Sequence, residues 1–296
     1  MNAAADYLTA LALAPLLPGL ISRVKAFFAG RQGQPVLQLY YDLWKLAHKG
    51  TVYSSVTGRV FRLGPAVSLA AVSVALALIP AGGHGALLAF DGDLILFAYL
   101  LALARFVTVL AALDTGSSFE GMGASREVFF SALAEPALFV SLAVMAKKAG
   151  AFSLNLIFTT NNPVTGNPLL LVAGALFIIL LAENCRIPFD DPNTHLELTM
   201  IHEVMVLDHS GPDFGLISYG AALKLWLFSA LIVRLVLPFG ESWHSADNPA
   251  LFYCGICAVA LGAGLVESCM ARFKLLKVPA MLLAAAVLAF AAFMVA

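Results

Sequence analysis

Long runs of apolar residues, separated by short polar stretches, are the dominant pattern along the chain. Residues 63–90 contain no charged side chain, and neither do residues 278–296. A helix needs about 20 apolar residues to cross a bilayer. These runs are apolar on all sides, which favours membrane helices over amphipathic helices or alternating barrel strands. We therefore predict an all-α polytopic membrane protein, a single integral membrane domain over residues 1–296, with eight transmembrane helices at about 7–22, 63–82, 93–113, 128–146, 168–185, 214–238, 250–268 and 278–296.

Composition and charge support a membrane protein and exclude other classes. Hydrophobic residues make up 61% of the chain and charged residues 12%, whereas a soluble domain carries about 25% charged residues. The 17 basic and 18 acidic side chains nearly cancel, and they form no basic stripe of the kind that binds nucleic acid. The four cysteines lie in or beside apolar runs, which argues against a secreted disulfide framework.

The basic residues are distributed unevenly between the predicted loops. Residues 23–62 contain seven Lys and Arg residues, whereas residues 83–92 contain none. Because Lys and Arg accumulate in cytoplasmic loops, we expect 23–62, 114–127, 186–213 and 269–277 to face the cytoplasm and both termini to lie on the outer side. Asp6 precedes the first apolar run and the first basic residues follow it, the order expected of a retained span rather than a cleaved signal peptide.

Residues 36–49 in the first predicted cytoplasmic loop have the helical period of an amphipathic segment. Leucine side chains fall on one face and charged side chains nearer the other. Tyr40, Tyr41 and Trp44 add an aromatic belt of the kind that lies at a bilayer surface. We predict an interfacial helix here, in contact with the lipid bilayer.

Charged side chains within the predicted spans are candidates for function, because inserting each one costs roughly 3 kcal/mol. Glu135 lies in the middle of a span, where a carboxyl group is suited to exchanging protons. The alternative is that Glu135 is a structural partner of Arg105 or Lys224. For Arg234 and Glu267, near span ends, snorkelling of the side chain to the interface is the simpler interpretation.

The segment 186–213 is the most polar stretch of the chain and follows directly after Glu183. Closely spaced carboxylates repel one another, so some must bind protons or cations, as a proton relay requires. A solvated acidic loop is the alternative, but interleaved hydrophobic residues favour a folded, covered segment. The predicted proton pathway consists of Glu135, Glu183, Asp190, Asp191, Glu197, Glu203 and Asp208.

The sequence offers little for a metal or a redox cofactor. His195 and His202 are seven residues apart, which is not the spacing of the His-Glu-x-x-His zinc site. Cys254 and Cys257 lie in an apolar span, where small residues usually serve packing. We therefore expect no metal and no cofactor in this chain.

Three segments resemble a known family. AENCRIPFDDPNTHLELTMIHEVMVLDHSG (182–211) resembles the long cytoplasmic loop of the quinone-site membrane subunit of respiratory complex I, and RQGQPVLQLYYDLWKL (31–46) resembles its first loop. ARFVTVLAALDTGSSFEGMGASRE (104–127) is closer to the counterpart in membrane-bound energy-converting (group 4) nickel–iron hydrogenases, such as formate hydrogenlyase and hydrogenase-4. The resemblance favours the membrane-anchor subunit of these hydrogenases.

This resemblance implies a subunit that catalyses no redox step itself. It implies docking of a peripheral arm of large and small hydrogenase-like subunits, which carry the nickel–iron centre and iron–sulfur clusters, onto antiporter-like membrane subunits in a prokaryotic cytoplasmic membrane. Electron transfer in the arm would be coupled to proton or sodium translocation. Two alternatives stay open: the quinone-site subunit of a complex I-type NADH dehydrogenase, and a stand-alone secondary transporter.

The resemblance also implies roles for individual residues. Glu135 matches the family's mid-span glutamate, nine residues after the arginine matched by Arg126. The loop motif is matched by Glu183, Arg186, Asp190 and Glu197, and its closing acid by Asp208. We expect Arg126 and Arg186 to stabilise nearby charge, and the first loop to dock the peripheral arm through Arg31, Asp42 and Lys45.

Three positions in the loop depart from the family pattern. Asp191 stands where the family has a leucine, and Asn193 and His195 replace two acids. Histidine titrates nearer neutrality than a carboxyl group. We therefore expect proton handling with a different pH profile and doubt a quinone site of the usual pattern.

Overall fold

The computed structural model describes residues 2–82, 84–159, 166–190, 200–237 and 247–296, and within these ranges the regular secondary structure is helical. Segments that are apolar on all sides form helices because a helix satisfies its own backbone hydrogen bonds. This confirms the predicted all-α class. The helices are α1 Ala3–Leu13, α2 Leu16–Phe28, α3 Gln38–Ala47, α4 Arg59–Ala77, α5 Asp93–Asp114, α6 Ser118–Ala149, α7 Leu154–Thr159, α8 Asn167–Glu183, α9 Gly211–Val236, α10 Asp247–Cys269 and α11 Val278–Val295.

The long helices pack side by side into a bundle. α4 lies between α5 and α9, α11 packs against α6 and α8, and α2 packs against α10. The largest side chains that are fully buried between the helices include Phe61, Phe97, Phe228 and Phe252. These aromatic residues supply much of the apolar contact that holds neighbouring helices together.

The number of spans differs from the eight predicted. Within the described ranges, α4, α5, α6, α9, α10 and α11 are long and apolar enough to cross a membrane, and α1 with α2 makes a seventh if this pair, bent by 44°, is one span. Pro15, which lies at the bend, cannot continue the hydrogen bonding of a helix. The predicted span 168–185 is α8, whose 17 residues extend about 26 Å, slightly less than the hydrocarbon core of a bilayer.

α6 begins ten residues earlier than the predicted span 128–146. Its 32 residues extend about 48 Å, well beyond the roughly 30 Å of a hydrocarbon core. Most of the predicted loop 114–127 is therefore helical, and this extension of α6 carries Glu120, Arg126 and Glu127. Pro136 lies inside α6 without ending it.

The predicted amphipathic segment 36–49 forms α3, which packs against α9 and α2. Its apolar side faces α9, where Leu46 lies against Gly215. Tyr41 and Trp44 are 59% and 72% exposed, so the other side of α3 presents large aromatic rings outward. This arrangement agrees with the amphipathic pattern of the sequence.

We predict that Asp114 stabilises the contact between α4 and α5. Its carboxylate accepts hydrogen bonds from the backbone amides of Gly58, at 2.7 Å, and Phe61, at 3.2 Å, at the start of α4. Asp114→Ala should lower the free energy of unfolding by about 1 kcal/mol, the usual effect of removing such a cap. Unfolding of the purified protein in mixed micelles measures this change. The exposed Asp91 provides the control, and an equal loss in Asp91→Ala would contradict the prediction.

Candidate functional site

A buried arginine joins three helices at the centre of the candidate site. Arg105 of α5 has a side chain that is 8% exposed, and its guanidinium forms ion pairs with Glu127 and Glu135 of α6 and with Glu183 at the end of α8. The Nε of Arg105 lies 3.3 Å from Oε1 of Glu127. A buried guanidinium requires such partners, because an unpaired charge inside a bundle is strongly destabilising.

A second cation completes the cluster from α9. The Nζ of Lys224 lies 2.7 Å from Oε2 of Glu183. Three carboxylates therefore face two cations, so the cluster carries one net negative charge when all five groups are ionised. Binding of one proton would neutralise this excess. We call these five residues, Arg105, Glu127, Glu135, Glu183 and Lys224, the Arg105 cluster.

Four members of the Arg105 cluster, all except Glu135, lie in the wall of an open cavity of about 670 Å³. The cavity is bounded by α4, α5, α9 and the segment after α8, and His202 and Met205 close it from the loop that precedes α9. Its lining is mostly apolar with a few charged groups at one side. This is the usual composition of a pocket that binds a small molecule or ordered water.

A second cavity, of about 380 Å³, meets the cluster from its other side. It lies between α6, α8 and α11 and is lined by Asp190 and Phe189. Glu127, Glu183 and Cys185 line both cavities. Two of the cluster's carboxylates are therefore accessible from two spaces.

The described part of the loop before α9, residues 200–210, is fastened to the bundle at both ends. Asp190 accepts hydrogen bonds from the backbone amides of Ile201 and His202, at 2.9 and 3.3 Å, and forms an ion pair with Arg272 at 2.7 Å. Arg126 donates a hydrogen bond to the carbonyl oxygen of Met200 at 2.8 Å. The loop is thus held over the cavity by charged side chains.

Glu120 of α6 holds the other end of this loop, and Gly123, one turn further along α6, packs against its first half. Glu120 accepts a hydrogen bond from the backbone amide of Asp208 at 3.1 Å. At Gly123 a side chain would collide with Val204, and its Cβ would lie 3.0 Å from the carbonyl oxygen of Ile201. Glycine is therefore what allows the loop to pack this closely on α6.

The structure separates the predicted proton-pathway residues into groups. Glu135 and Glu183 meet at Arg105, and Asp190 lines the second cavity. Glu203 is half-buried in a short 3₁₀ helix, and the side chain of Asp208 is exposed. The two remaining members of the predicted pathway, Asp191 and Glu197, lie outside the described residues.

The basic residues assigned from sequence lie at different places. Arg186 approaches Glu267 of α10 at 3.5 Å, and Lys25 of α2 lies 3.0 Å from the same carboxylate. The side chain of Glu267 is fully buried and pairs with these two cations inside the bundle, so it does not extend to the surface. Arg234 is also buried, and its Nε donates to the carbonyl oxygen of Pro80 at 2.7 Å. Snorkelling is thus the wrong interpretation for both.

The residues assigned to docking lie on the surface around α3. Arg31 and Lys45 are exposed, and Asp42 accepts a hydrogen bond from Gln38 at 3.0 Å. These side chains face outward from the bundle and leave a polar surface beside the exposed aromatic rings of α3.

Glu127 was not among the site residues predicted from the sequence, and Arg105 and Lys224 were predicted only as partners of Glu135. One signal was available for Glu127: it precedes Glu135 by eight residues, a little more than two helical turns, so the two lie on the same side of a helix. That signal required α6 to begin before residue 127, which the apolar pattern did not show.

Two histidines of the loop are held away from water. His202 lines the large cavity, and the ring of His209 stacks on that of Phe61 with their centroids 3.9 Å apart. Burial lowers the pKa of both imidazoles below the ordinary value, because the charged form is poorly solvated there. Burial therefore favours the neutral form of both rings.

Within the described ranges, no group of three His, Cys, Asp or Glu side chains is arranged to hold a metal ion.

The fold and the site together define a class of protein: a polytopic helical bundle with a charged internal cavity. The chain belongs to the NADH dehydrogenase family, whose sequence profile matches residues 3–296.

Two relatives from Escherichia coli (strain K12) are similar over most of their length. Formate hydrogenlyase subunit 4 is 34% identical over 276 residues, covering 90% of this chain and 89% of that protein. Hydrogenase-4 component C is 37% identical over 238 residues, covering 78% of this chain and 73% of that protein. These similarities confirm the resemblance to membrane subunits of energy-converting hydrogenases.

The fold also matches a solved structure. A chain of the membrane-bound sulfane sulfur reductase, an archaeal respiratory membrane complex, superposes with a TM-score of 0.83 at 24% identity, covering 98% of each chain. At this identity the match supports the fold alone.

We predict that the loop 200–210 loosens in acid. In the unfolded loop, His202 and His209 bind protons as the pH falls below about 6.5, the ordinary histidine pKa. In the folded loop burial opposes this binding, so the folded loop becomes less stable relative to the unfolded loop as the pH falls. Amide hydrogen exchange between pH 8 and pH 5.5, corrected for the intrinsic rate, should show protection of residues 200–210 decreasing. His202→Gln should reduce this decrease, whereas the same change at the exposed His48 should not. Equal acid sensitivity in both variants would rule out His202 as a cause.

Proposed function

We propose that this chain is the membrane-anchor and proton-pathway subunit of a hydrogenase-like energy-converting complex. The observation that carries the proposal is the Arg105 cluster, in which three carboxylates share two cations beside a cavity inside a membrane bundle. Similarity to subunits of formate hydrogenlyase and hydrogenase-4 supplies the kind of complex.

The charge balance of the cluster supports proton binding. In a medium of low dielectric constant, one uncompensated negative charge is costly, and a proton removes it without any rearrangement of the helices. Because the three carboxylates interact through one guanidinium, the proton belongs to the group of residues rather than to one of them. The cluster can therefore accept a proton from one cavity and release it towards another surface.

Glu135 and Glu183 differ in access, which gives the path a direction. The side chain of Glu183 is 5% exposed and lies between the two cavities, whereas that of Glu135 is 38% exposed at the outer side of α6. A half-exposed carboxylate at this depth favours a neighbouring subunit over lipid. Protons would thus pass from the cavity through the cluster to an antiporter-like membrane subunit beside α6.

The remaining parts of the proposal concern the partners. Large and small hydrogenase-like subunits of the peripheral arm, which would hold the nickel–iron centre and iron–sulfur clusters, dock at α3 through Arg31, Asp42 and Lys45. Arg126 and Arg186 stabilise charge and packing around the loop, and Asp190, Asp191, Glu197, Glu203 and Asp208 lead protons to the cavity. The chain forms one integral domain in a prokaryotic inner membrane, with both termini outside.

The large cavity favours one second candidate, a quinone-site subunit of a complex I-type NADH dehydrogenase. Its lining is apolar over most of its area and carries a few charged groups, which is the composition of a pocket that binds a small molecule such as a quinone. The same cavity serves water and protons in the hydrogenase proposal, so only the assembled complex distinguishes the two.

Purification of the tagged chain in mild detergent, with mass spectrometry of its partners and nickel and iron analysis, tests the proposal. Nickel together with iron–sulfur subunits supports it. Iron without nickel, together with quinone reduction, supports the complex I-type alternative. A chain without partners that transports a solute when reconstituted alone would overturn both in favour of a secondary transporter.

We predict that Glu135→Gln and Glu183→Gln uncouple the complex. Each change removes a group that can bind and release a proton but leaves a side chain of the same shape. The rate of proton movement should therefore fall by about tenfold or more, and the complex should still assemble. Proteoliposomes containing the complex and an internal pH-sensitive dye measure it. Asp93→Asn is the matched control. Asp93 is also fully buried, but its carboxylate accepts a hydrogen bond from the backbone amide of Leu154 and lines neither cavity of the cluster. Normal proton movement in the Glu183→Gln complex would refute the relay.

We also predict that charge at α3 holds the peripheral arm. If Arg31 and Lys45 pair with acidic groups of the arm, the double change Arg31→Glu and Lys45→Glu places like charges opposite each other across the interface. Because such contacts are strongly unfavourable, less of the arm should copurify. Membrane insertion should persist. Lys148→Glu, an exposed change at the end of α6 remote from α3, is the control. Retention of the arm by the double variant would exclude this docking surface.

A further inference from the structure

The connection between α10 and α11, residues 270–277, is a basic surface segment that has no role in the proposed function. It contains Arg272, Lys274 and Lys277, and no acidic residue follows Glu267 in the sequence. Lys274 and Lys277 are exposed, and neither forms an ion pair with a residue that the structure describes. Within the described part of the chain, two positive charges at this surface thus have no acidic partner.

The backbone holds these two lysines close together. The amide of Lys277 donates a hydrogen bond to the carbonyl oxygen of Lys274 at 2.8 Å, which closes a single 3₁₀ turn over Leu275–Lys277. Residues three apart lie above one another in such a turn. Two ammonium groups at one place attract an anion more strongly than either does alone, so one phosphate group can contact both.

This turn lies at the surface of the membrane. The helices before and after it, α10 and α11, are both long and apolar enough to cross a bilayer, so the chain reverses direction here. Leu276, between the two lysines, is 93% exposed. A large exposed apolar side chain beside cationic ones is typical of a segment that rests on lipid, with the apolar group among the acyl chains and the cations at the headgroups.

α11 continues this surface into the bilayer. One face of α11 is buried, and the helix packs against α6 and α8. The opposite face carries large apolar side chains that are between 52% and 66% exposed: Leu283, Val287, Phe290 and Met294. Their spacing of four, three and four residues places them in one row along the helix. The row begins about one and a half turns after the lysines, which suits the acyl chains of a lipid whose headgroup lies at the turn.

We propose that the turn at Lys274 and Lys277 is a binding site for an anionic phospholipid. The lipid phosphate lies between the two ammonium groups, and the acyl chains lie along the exposed row of α11. A zwitterionic lipid fits less well, because its own cation competes with the lysines for the phosphate. The sequence predicts residues 269–277 to be cytoplasmic, and anionic lipids give the cytoplasmic leaflet its negative surface potential. The inference goes beyond the proposed function and does not require proton transfer.

The site is joined to the loop that closes the large cavity. The amide of Phe273 donates a hydrogen bond to the carbonyl oxygen of Pro188 at 2.9 Å, and Arg272 forms the ion pair with Asp190. Asp190 in turn holds the loop 200–210 through two backbone amides. Because a ligand stabilises the folded state that binds it, an anionic lipid at the neighbouring turn should raise the melting temperature of the chain.

Native mass spectrometry of the full-length chain in mild detergent tests the site. The chain is titrated with phosphatidylglycerol or with phosphatidylcholine of the same acyl chains, and phosphatidylglycerol should bind more tightly and raise the melting temperature more. A basic side chain near an anionic lipid contributes about fivefold in affinity. The double change Lys274→Gln and Lys277→Gln should therefore weaken phosphatidylglycerol binding by about tenfold or more and leave phosphatidylcholine binding unchanged. Lys274→Arg with Lys277→Arg keeps both charges and should keep the preference.

The matched control is a second pair of exposed lysines at the other end of the α6–α11 pair. Lys147 and Lys148 lie near the end of α6, where Lys147 contacts Phe293 of α11. The double change Lys147→Gln and Lys148→Gln removes the same charge, and the preference for phosphatidylglycerol should persist. An equal loss in this control would mean that general surface charge, and not the turn, attracts the lipid, and the inference would be wrong.

Three further results would overturn the inference. The first is equal affinity of the unchanged chain for the two lipids. The second is displacement of phosphatidylglycerol by millimolar inorganic phosphate, which would indicate a small-anion site. The third is loss of a partner subunit from the complex in Lys274→Gln with Lys277→Gln while lipid binding is unchanged, which would assign the surface to a protein. If this double variant does not fold, the single changes decide, and each should weaken phosphatidylglycerol binding by about fivefold.

Discussion

The structure depends most on the pairing of one buried guanidinium. Arg105 lies among helices that bury most of its charge, and each of its ion pairs reaches a carboxylate on α6 or α8. Removing one member of a buried pair usually costs 3–5 kcal/mol, because the remaining charge is left uncompensated. The positions of α5, α6 and α8 are therefore fixed relative to one another by charge as well as by packing.

The same pairing leaves the site with an unbalanced charge. If two carboxylates shared two cations, the cluster would be neutral and would gain nothing from a proton. The third carboxylate leaves an excess charge that either a proton or a rearranged cation can balance. Because Glu127 and Glu183 line both neighbouring cavities, the residues that stabilise the bundle are also the ones that meet solvent from two sides.

Apolar runs predicted the membrane helices from the sequence, since a span in lipid requires about 20 apolar residues whatever its partners. They failed where another constraint decides: Pro15 lies at the bend of the first span, and polar residues at the start of α6 interrupt the apolar pattern. The site was predicted only in part. Glu135 and Glu183 were recognisable as costly charges, but their union at Arg105 joins residues 30 and 78 positions apart, and no local pattern encodes such a contact.

The bundle does not by itself specify the redox chemistry. A chain of a sulfane sulfur reductase complex has the same fold, and two relatives that match most of this chain belong to formate hydrogenlyase and hydrogenase-4. Function resides in the sites that a fold carries rather than in the fold. In the proposed function the charged cavity moves protons, and the chemistry that drives them depends on what binds at α3 and at the loop 200–210. Asp190, which lines the second cavity, accepts hydrogen bonds from the loop amides of Ile201 and His202, and Arg126 donates one to the carbonyl oxygen of Met200. In the proposed function a partner on the loop therefore acts on the Arg105 cluster through contacts that are already present.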